Sequence, residues 1–144
     1  MHPFPHLYRA RAAAGPEADV VLSADGLEPI PSRPPVEFGG PGDRWSPETL
    51  LCAALADCLL MTFRAIARAS RISWDSLDVA VEGKLEREQG NSRFTHFRIE
   101  AVLRLPAGMD AAAAERALHK AEAGCLISNS LTATRELQTR IETA

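Results

Sequence analysis

Residues 46–69 read SPETLLCAALADCLLMTFRAIARA and contain the longest apolar segment of the chain. Ser46 is a good helix cap, and Pro47 suits the first helical position, where a missing N–H leaves nothing unpaired. Apolar residues then recur at spacings of three and four, which predicts a helix to the end of the segment. This spacing places Cys58 on the apolar face and rotates Asp57 by about 100° away from it. The predicted inward face consists of Leu51, Ala54, Leu55, Cys58, Thr62, Ala65 and Ile66.

The size and charge of the chain narrow the classes of protein to which it can belong. Its 144 residues fit one compact domain, which we expect to span residues 1–144. The formal net charge of −3 comes from 16 basic and 19 acidic residues without a charged block, which argues against binding to nucleic acids or anionic membranes. Asp57 and Arg64 interrupt the apolar segment, so we expect a buried helix rather than the roughly 20 clean apolar residues of a membrane span.

The N-terminus and the cysteines bear on location and chemistry. Residues 1–6, MHPFPH, lack the basic start, apolar stretch and cleavage site of a secretory signal, so a cytoplasmic location is expected. The chain has three cysteines, Cys52, Cys58 and Cys125. A secreted disulfide scaffold would have more cysteines and an even number of them. The three cysteines are therefore reactive, metal-bound or merely buried thiols.

Before the apolar helix, the chain has short strand-like stretches and a long loop. Residues 7–12 and 20–23 flank a turn at Gly15 and Pro16, which predicts a hairpin. Residues 28–44 contain five prolines and three glycines, which exclude a regular helix or a central strand and predict an irregular loop.

After the helix, residues 77–86 and 97–105 alternate between apolar and polar positions and predict an antiparallel hairpin with one wet face. Residues 111–124 predict a second helix, with a short further helix from Cys125, and residues 137–143 predict a last strand at a sheet edge. No run of strand-helix-strand units is visible. The order therefore predicts an α+β fold with an antiparallel sheet.

Two cysteines within reach of each other are enough for a redox cycle. A thiolate attacks an O–O bond and becomes a sulfenic acid, which a second thiol converts to a disulfide. Burial in an apolar helix would raise the pKa of Cys58, so its reactivity requires a cationic or hydrogen-bonding partner from outside the helix. Arg33 and Glu37 of the loop are the candidates, because a guanidinium stabilises a thiolate and a carboxylate holds the guanidinium.

Other interpretations of the cysteines stay open at this point. A lone cysteine on an apolar helix face is more often a packing residue than a catalytic one, and Cys52 is assigned to that class. Spacing alone leaves the same interpretation open for Cys58 and Cys125. The chain has no Cys-x-x-Cys pattern, and the one His-x-x-x-His spacing, His2 to His6, stands apart from the cysteines, so no zinc site is predicted. No Gly-x-Ser-x-Gly pattern predicts a serine hydrolase. No metal or other cofactor is therefore expected.

Two segments of the chain resemble those of a known family. EFGGPG at residues 37–42, SPETLL at 46–51 and AALADC at 53–58 look like the glycine-rich loop and cysteine helix of the OsmC/Ohr family. AEAGCLISNSL at residues 121–131 resembles the family's second cysteine segment, with Leu126 where proline is common. With the hairpin between them, the similarity extends from Glu37 to the C-terminus.

The resemblance implies an OsmC-like α+β fold, built as an intertwined homodimer around a long buried cysteine helix. It also implies a thiol-dependent peroxidase that reduces hydroperoxides, organic ones in particular, by chemistry like that of peroxiredoxins. By the resemblance Cys58 is the peroxidatic cysteine, which forms a sulfenate, and Cys125 is the resolving cysteine. An external dithiol would reduce the disulfide that they form.

The resemblance assigns roles to two further residues. Glu37 matches the family's loop glutamate, which pairs with an active-site arginine. Arg33 is the preferred match for that arginine, and Arg9 and Arg11 are the alternatives. A second function is open on the same fold, namely a non-catalytic protein that binds a small lipophilic ligand in the apolar pocket around the cysteines.

Overall fold

The computed structural model describes Met1–Ala144 and divides into two compact units, Met1–Leu50 and Leu51–Ala144. The units are called unit 1 and unit 2 below, and each is described by itself. The single domain expected over residues 1–144 stays a prediction. The elements in chain order are β1 (Arg11–Ala13), β2 (Val20–Ser23), β3 (Ile30–Ser32), α1 (Pro47–Ala69), β4 (Ser76–Glu88), β5 (Asn91–Leu105), α2 (Ala111–Ala123), α3 (Leu126–Asn129) and β6 (Thr134–Thr143).

Unit 1 is a three-stranded antiparallel sheet in the order β1-β2-β3, followed by a loop. The predicted hairpin is the pair β1-β2, with a first strand that begins later than expected. The loop predicted for residues 28–44 also contains β3 and a 3-10 turn at Val36–Phe38. Pro31 is tolerated in β3 because this strand lies at the edge of the sheet, where no second neighbour needs its N–H.

The start of α1 is fixed by reciprocal hydrogen bonds between Ser46 and Thr49. The N–H of Thr49 donates to Ser46 Oγ at 3.2 Å, and the N–H of Ser46 donates to Thr49 Oγ1 at 2.9 Å. This is a capping box, in which two otherwise unpaired donors are satisfied by side chains. The start predicted from the serine cap and Pro47 is confirmed, and so is the end of the helix at Ala69.

Unit 2 contains a second three-stranded sheet in the order β4-β5-β6. Strands β4 and β5 form the predicted antiparallel hairpin, and their two-residue turn has φ values of 49° at Gln89 and 82° at Gly90. Two positive φ angles are typical of the tight turn that matches the twist of a hairpin.

The sheet of unit 2 is mixed rather than wholly antiparallel, because β6 pairs with β5 in parallel. Parallel neighbours need a crossover connection, and α2 and α3 supply it between these two strands. A single strand-helix-strand crossover is therefore present, whereas the sequence analysis predicted a wholly antiparallel sheet without a run of such units. The α+β class is confirmed, and β6 lies at an edge as predicted.

The core of unit 2 lies between one stripe of α1, the inner face of β5 and α2. The buried residues of α1 are Leu55, Leu59, Phe63 and Ala67, which follow one another at a spacing of four. This stripe is rotated by about one position from the predicted face, so Cys58 lies beside the core rather than in it. The core cluster consists of Phe63, Ala67, Leu77, Ala101, Leu103, Leu105, Ala114, Ala117, Leu118 and Ala121.

Helix α1 is long and apolar enough to cross a membrane when judged by length and composition alone. Its most apolar 18 residues have a mean hydropathy of 1.9, and 22% of them are buried in the structure. Asp57 and Arg64 therefore do not lower its hydropathy as far as expected. The core helices of water-soluble proteins meet the same measure, and α1 does pack one stripe into the core of unit 2.

Candidate functional site

Cys58 lies in the middle of α1, half-buried, with Thr62 one turn further along the helix. The Thr62 hydroxyl donates to the carbonyl of Cys58 at 2.7 Å, and its oxygen lies 4.0 Å from Cys58 Sγ. The neighbouring Asp57 is exposed, so its carboxylate turns to solvent and away from the apolar side of the helix.

Cys125 lies in the short connection between α2 and α3 and is completely buried. Each of the two thiols affects the pKa of the other, so the structure places the two predicted cysteines near each other within unit 2. At the adjacent Gly124, an added Cβ would lie 3.3 Å from the carbonyl oxygen of Lys120, which is a tight contact, and 3.8 Å from Thr62 Cγ2.

The pKa of Cys58 is lowered below the value of an ordinary thiol. Partial burial acts to raise it, but the polar groups around the sulfur outweigh burial: the N–H of Ile127, the thiol of Cys125, the hydroxyl of Thr62 and the N–H of Leu126. Three of these groups belong to the segment of Cys125, outside α1. A proline at position 126 has no N–H and would supply none there.

The pKa of Cys125 is raised. Burial is the largest cause, the nearby polar groups of Ser128 act in the opposite direction, and the negative charge of a neighbouring Cys58 thiolate adds to the rise. Cys58 therefore ionises more readily than Cys125, which is the order that a peroxide-attacking thiol and a resolving thiol need.

Arg33 pairs with Asp19 rather than with Glu37. Its Nε donates to Asp19 Oδ1 at 2.6 Å, and Arg44 donates to the other oxygen of Asp19 at 3.2 Å. These two arginine hydrogen bonds, Arg33 first, lower the pKa of Asp19. Glu37 is exposed in the 3-10 turn and makes no ion pair within the chain, so the expected bond between Arg33 and Glu37 is absent.

The other predicted arginines lie on the surface of unit 1. Arg11 opens β1 and Arg9 precedes it, and both are exposed. Arg33, Arg9 and Arg11 belong to unit 1, whereas Cys58 belongs to unit 2. The roles of Arg33 and Glu37 at Cys58 stay predictions.

A pocket of about 470 Å³ in unit 1 has mainly apolar walls and includes Arg33 and Glu48. One carboxylate oxygen of Glu48, Oε2, is buried there without a hydrogen-bond partner. An acceptor buried without a partner is costly. Glu48 was not among the predicted site residues, because an acid in the first turn of a helix is normally solvated and interacts with the helix dipole. Its only signal in the sequence was its position shortly after the loop.

Cys52 is a packing residue, as predicted. Burial raises its pKa, and its sulfur lies 3.0 Å from where a Cβ on Gly83 would be, next to the rings of Phe94 and Phe97. No three His, Cys, Asp or Glu side chains lie together in a way that would hold a metal ion.

Comparison with known proteins agrees with this fold. The family model of the OsmC-like proteins matches residues 40–140. The uncharacterized protein YmaD of Bacillus subtilis (strain 168) is 32% identical over 109 residues, which are 72% of this chain and 71% of the relative.

Solved structures share the fold over nearly the whole chain. An OsmC-like protein of unknown function from Vibrio cholerae has a TM-score of 0.82 at 19% identity, covering 95% of this chain and 99% of its own. An organic hydroperoxide resistance protein OsmC from Legionella pneumophila has a TM-score of 0.75 at 24% identity, covering 97% and 99%. An organic hydroperoxide resistance protein from Elizabethkingia anophelis has a TM-score of 0.76 at 20% identity, covering 98% and 100%. Because the family match includes both cysteines and most of the chain, this protein belongs to the OsmC-like family.

Proposed function

We propose that this protein is a thiol-dependent peroxidase that reduces organic hydroperoxides through Cys58 and Cys125. The observation that carries the proposal is the unequal thiol pair, in which a partly exposed Cys58 with a lowered pKa lies near a buried Cys125 whose pKa is raised. Membership of the OsmC-like family supports it, as do structural neighbours named organic hydroperoxide resistance proteins.

The steps of the reaction follow from the easier ionisation of the Cys58 thiol. The Cys58 thiolate attacks the outer oxygen of the hydroperoxide, the O–O bond breaks, and the alkoxide leaves as an alcohol after taking up a proton. Cys58 is then a sulfenic acid. The thiol of Cys125 attacks that sulfur and expels water, which forms the disulfide. An external dithiol restores both thiols by exchange and is itself oxidised to a disulfide.

The proximity of the two thiols favours the second step. Cys125 is buried near Cys58 before any peroxide arrives, so the sulfenic acid has a thiol close to it. A pre-positioned partner avoids the entropy of bringing two groups together. Over-oxidation of Cys58 to a sulfinic acid is the competing reaction, and a resolving thiol in place shortens the time available for it.

An intertwined homodimer in the cytoplasm is part of the proposal. The exposed side chains of α1 include Met61, and much of its apolar surface lies outside the core of unit 2. A second copy of the chain would cover such a surface. A reducing compartment would supply the dithiol and keep both cysteines in the thiol form between turnovers.

The deciding experiment compares three cysteine variants in turnover of an alkyl hydroperoxide with a dithiol reductant. Cys58→Ser is expected to abolish consumption of the hydroperoxide. Cys125→Ser is expected to leave a sulfenic acid on Cys58 that dimedone traps. Cys52→Ser is the matched control, because Cys52 lies in the same helix but outside the pair, and its turnover should equal that of the wild type. Full turnover by Cys58→Ser would rule out the mechanism.

A second candidate function is binding of a small lipophilic ligand, and the pocket of unit 1 favours it. Its volume of about 470 Å³ lies in the range of small-molecule sites, and its apolar walls surround the unpaired oxygen of Glu48. A fatty acid or fatty alcohol that raises the melting temperature, while both cysteines stay reduced after peroxide challenge, would favour this function over the first. Phe38→Ser, which makes one wall polar, should remove that rise.

A further inference from the structure

Arg135 of β6 makes three side-chain hydrogen bonds to the segment that carries Cys125. Its Nε donates to the carboxylate of Glu122, its Nη1 donates to the carbonyl of Ser128 at 3.0 Å, and its Nη2 donates to Asn129 Oδ1 at 2.9 Å. Glu122 lies at the end of α2, and the other two partners lie in α3. One side chain thus connects the two helices that flank Cys125.

The position of Arg135 is unusual for a charged residue. Alternate residues of a strand share a face, so Arg135 lies on the same face of β6 as Leu137 and Ile141, which pack against the core. Its side chain is 25% exposed and that of Glu122 is 20% exposed. A charge this far from water is costly unless its donors are satisfied, and here three of the guanidinium nitrogens are used.

Asn129 closes the other side of the turn. Its side-chain nitrogen donates to the carbonyl of Ala123 at 3.1 Å while its oxygen accepts from Arg135. The backbone adds the bond from the N–H of Cys125 to the carbonyl of Glu122 at 3.2 Å. Residues 123–129 are therefore held as a closed turn, although the turn itself is too short to be stable by local hydrogen bonds alone.

We propose that Arg135 is a positioning residue of the thiol pair, which holds residues 125–129 against α1 so that the N–H groups of Leu126 and Ile127 and the thiol of Cys125 reach the sulfur of Cys58. It touches neither sulfur nor substrate and acts through the turn. The proposal deepens the peroxidase function, and only its consequence for catalysis rests on that function. The effect of Arg135 on the position of residues 125–129 does not depend on peroxide.

The chemical consequence concerns both sulfurs. If the turn relaxes, Cys58 loses donors that favour its thiolate, and the partial burial that opposes ionisation remains. The sulfur of Cys125 also moves away from the position at which it would attack a sulfenic acid. Both the thiolate fraction at neutral pH and the rate of disulfide closure should therefore fall together.

The test measures ionisation of Cys58 without peroxide. The rate of alkylation of Cys58 by iodoacetamide is followed against pH by mass spectrometry in the wild type and in Arg135→Gln. The expected result is a profile displaced to higher pH, and a displacement of about one unit slows alkylation near neutral pH about tenfold. Arg135→Lys keeps the charge but not the planar fork, so partial recovery is expected.

Arg104→Gln is the matched control. Arg104 lies in the same sheet and donates to Glu142 at 2.8 Å, in a surface ion pair away from the cysteines. This variant should leave the alkylation profile unchanged. An Arg135→Gln protein with the wild-type profile would overturn the proposal, whatever its stability.

Two further variants keep the test decisive if Arg135→Gln fails to fold. Asn129→Ala and Glu122→Gln each remove one partner of Arg135, and each should displace the profile in the same direction by less. Wild-type profiles in both would overturn the proposal. If the wild type alkylates early at Cys58 and Arg135→Gln does not, while neither turns over hydroperoxides, the positioning role stands and the peroxidase function fails.

Discussion

The hydroxyl of Thr62 donates to the carbonyl of Cys58 at 2.7 Å while its oxygen lies 4.0 Å from the sulfur of the same residue. A hydroxyl has one proton, so it serves either the carbonyl or the sulfur at a given moment. When Cys58 is a thiolate the sulfur becomes the stronger acceptor, and a rotation about one bond brings the proton to it.

Replacing Thr62 by valine should raise the pKa of Cys58. Valine keeps the branched shape but removes the donor, and loss of one hydrogen bond costs about 0.5–1.5 kcal/mol in the folded state. The pH profile of Cys58 alkylation and a urea unfolding curve measure the two effects. Thr62→Ser keeps the hydroxyl and is the control, so equal profiles for the valine and serine variants would show that Thr62 does not act on the sulfur.

The cysteines should alkylate in a fixed order as pH rises. The pKa of Cys58 is lowered, whereas burial raises the pKa of Cys125 and of Cys52. Because iodoacetamide reacts with the thiolate, Cys58 should be labelled first, at a pH below that of an ordinary thiol. Peptide mass spectrometry after short pulses at a series of pH values measures the order. Labelling of Cys125 or Cys52 before Cys58 would contradict the assignment of the thiolate.

The free energy of unfolding reports the ionisation of Cys58 and Cys125 less directly than alkylation does. A lowered thiol pKa contributes stability that is present above the unfolded pKa and is lost as pH falls through the folded pKa. A raised thiol pKa has the opposite sign, because the unfolded chain releases its proton first and stability falls as pH rises towards the folded pKa. Cys58 and Cys125 therefore oppose each other near the ordinary thiol pKa of 9.0. In Cys125→Ser, stability should increase more steeply with pH in this range than in the wild type.

The elements that the sequence predicted well are those with local causes. The serine cap set the start of α1, and the alternation of apolar residues set the hairpin of β4 and β5. The parallel pairing of β6 and the rotation of the buried stripe of α1 depend on contacts between distant segments, which no local period encodes.

The candidate site shows the same difference between features with local causes and features that depend on distant segments. The two cysteine segments were recognisable, but the groups that lower the pKa of Cys58 include the N–H groups of Leu126 and Ile127. Every residue except proline carries such a group, so its use leaves almost no mark in the sequence. The bond between Arg33 and Asp19 was not predicted either, because Asp19 is 14 positions away in the chain and reaches Arg33 only through the pairing of β2 with β3.

Gly40 should be intolerant of a side chain. A Cβ at this position would lie 1.6 Å from the carbonyl oxygen of Pro34, so Gly40→Ala forces the loop backbone to move. Overpacking of this kind costs about 1–3 kcal/mol, to be measured by urea unfolding. Gly15→Ala is the control, because nothing lies within 4 Å of a Cβ there. Equal stability of the two variants would contradict the close packing of the loop.

Gly83 and Cys52 should show coupled effects on stability. A Cβ on Gly83 would lie 2.9 Å from the rings of Phe94 and Phe97 and 3.0 Å from the sulfur of Cys52. Gly83→Ala should therefore lower the free energy of unfolding, by about 1–3 kcal/mol, because a close-packed interior does not absorb an added methyl. Cys52→Ala removes one of the three obstacles and should cost little by itself, since it deletes a single sulfur at a half-buried position.

In the double variant the Cys52→Ala change should recover part of the loss, so that the combined effect is smaller than the sum of the two. The free energies of unfolding of the four proteins in this cycle give the coupling directly. Purely additive effects would mean that the sulfur does not pack against Gly83. In the variants that remain folded, the rate of peroxide turnover should equal that of the wild type. Cys52 packs against Gly83 and takes no part in the reaction of Cys58 with Cys125.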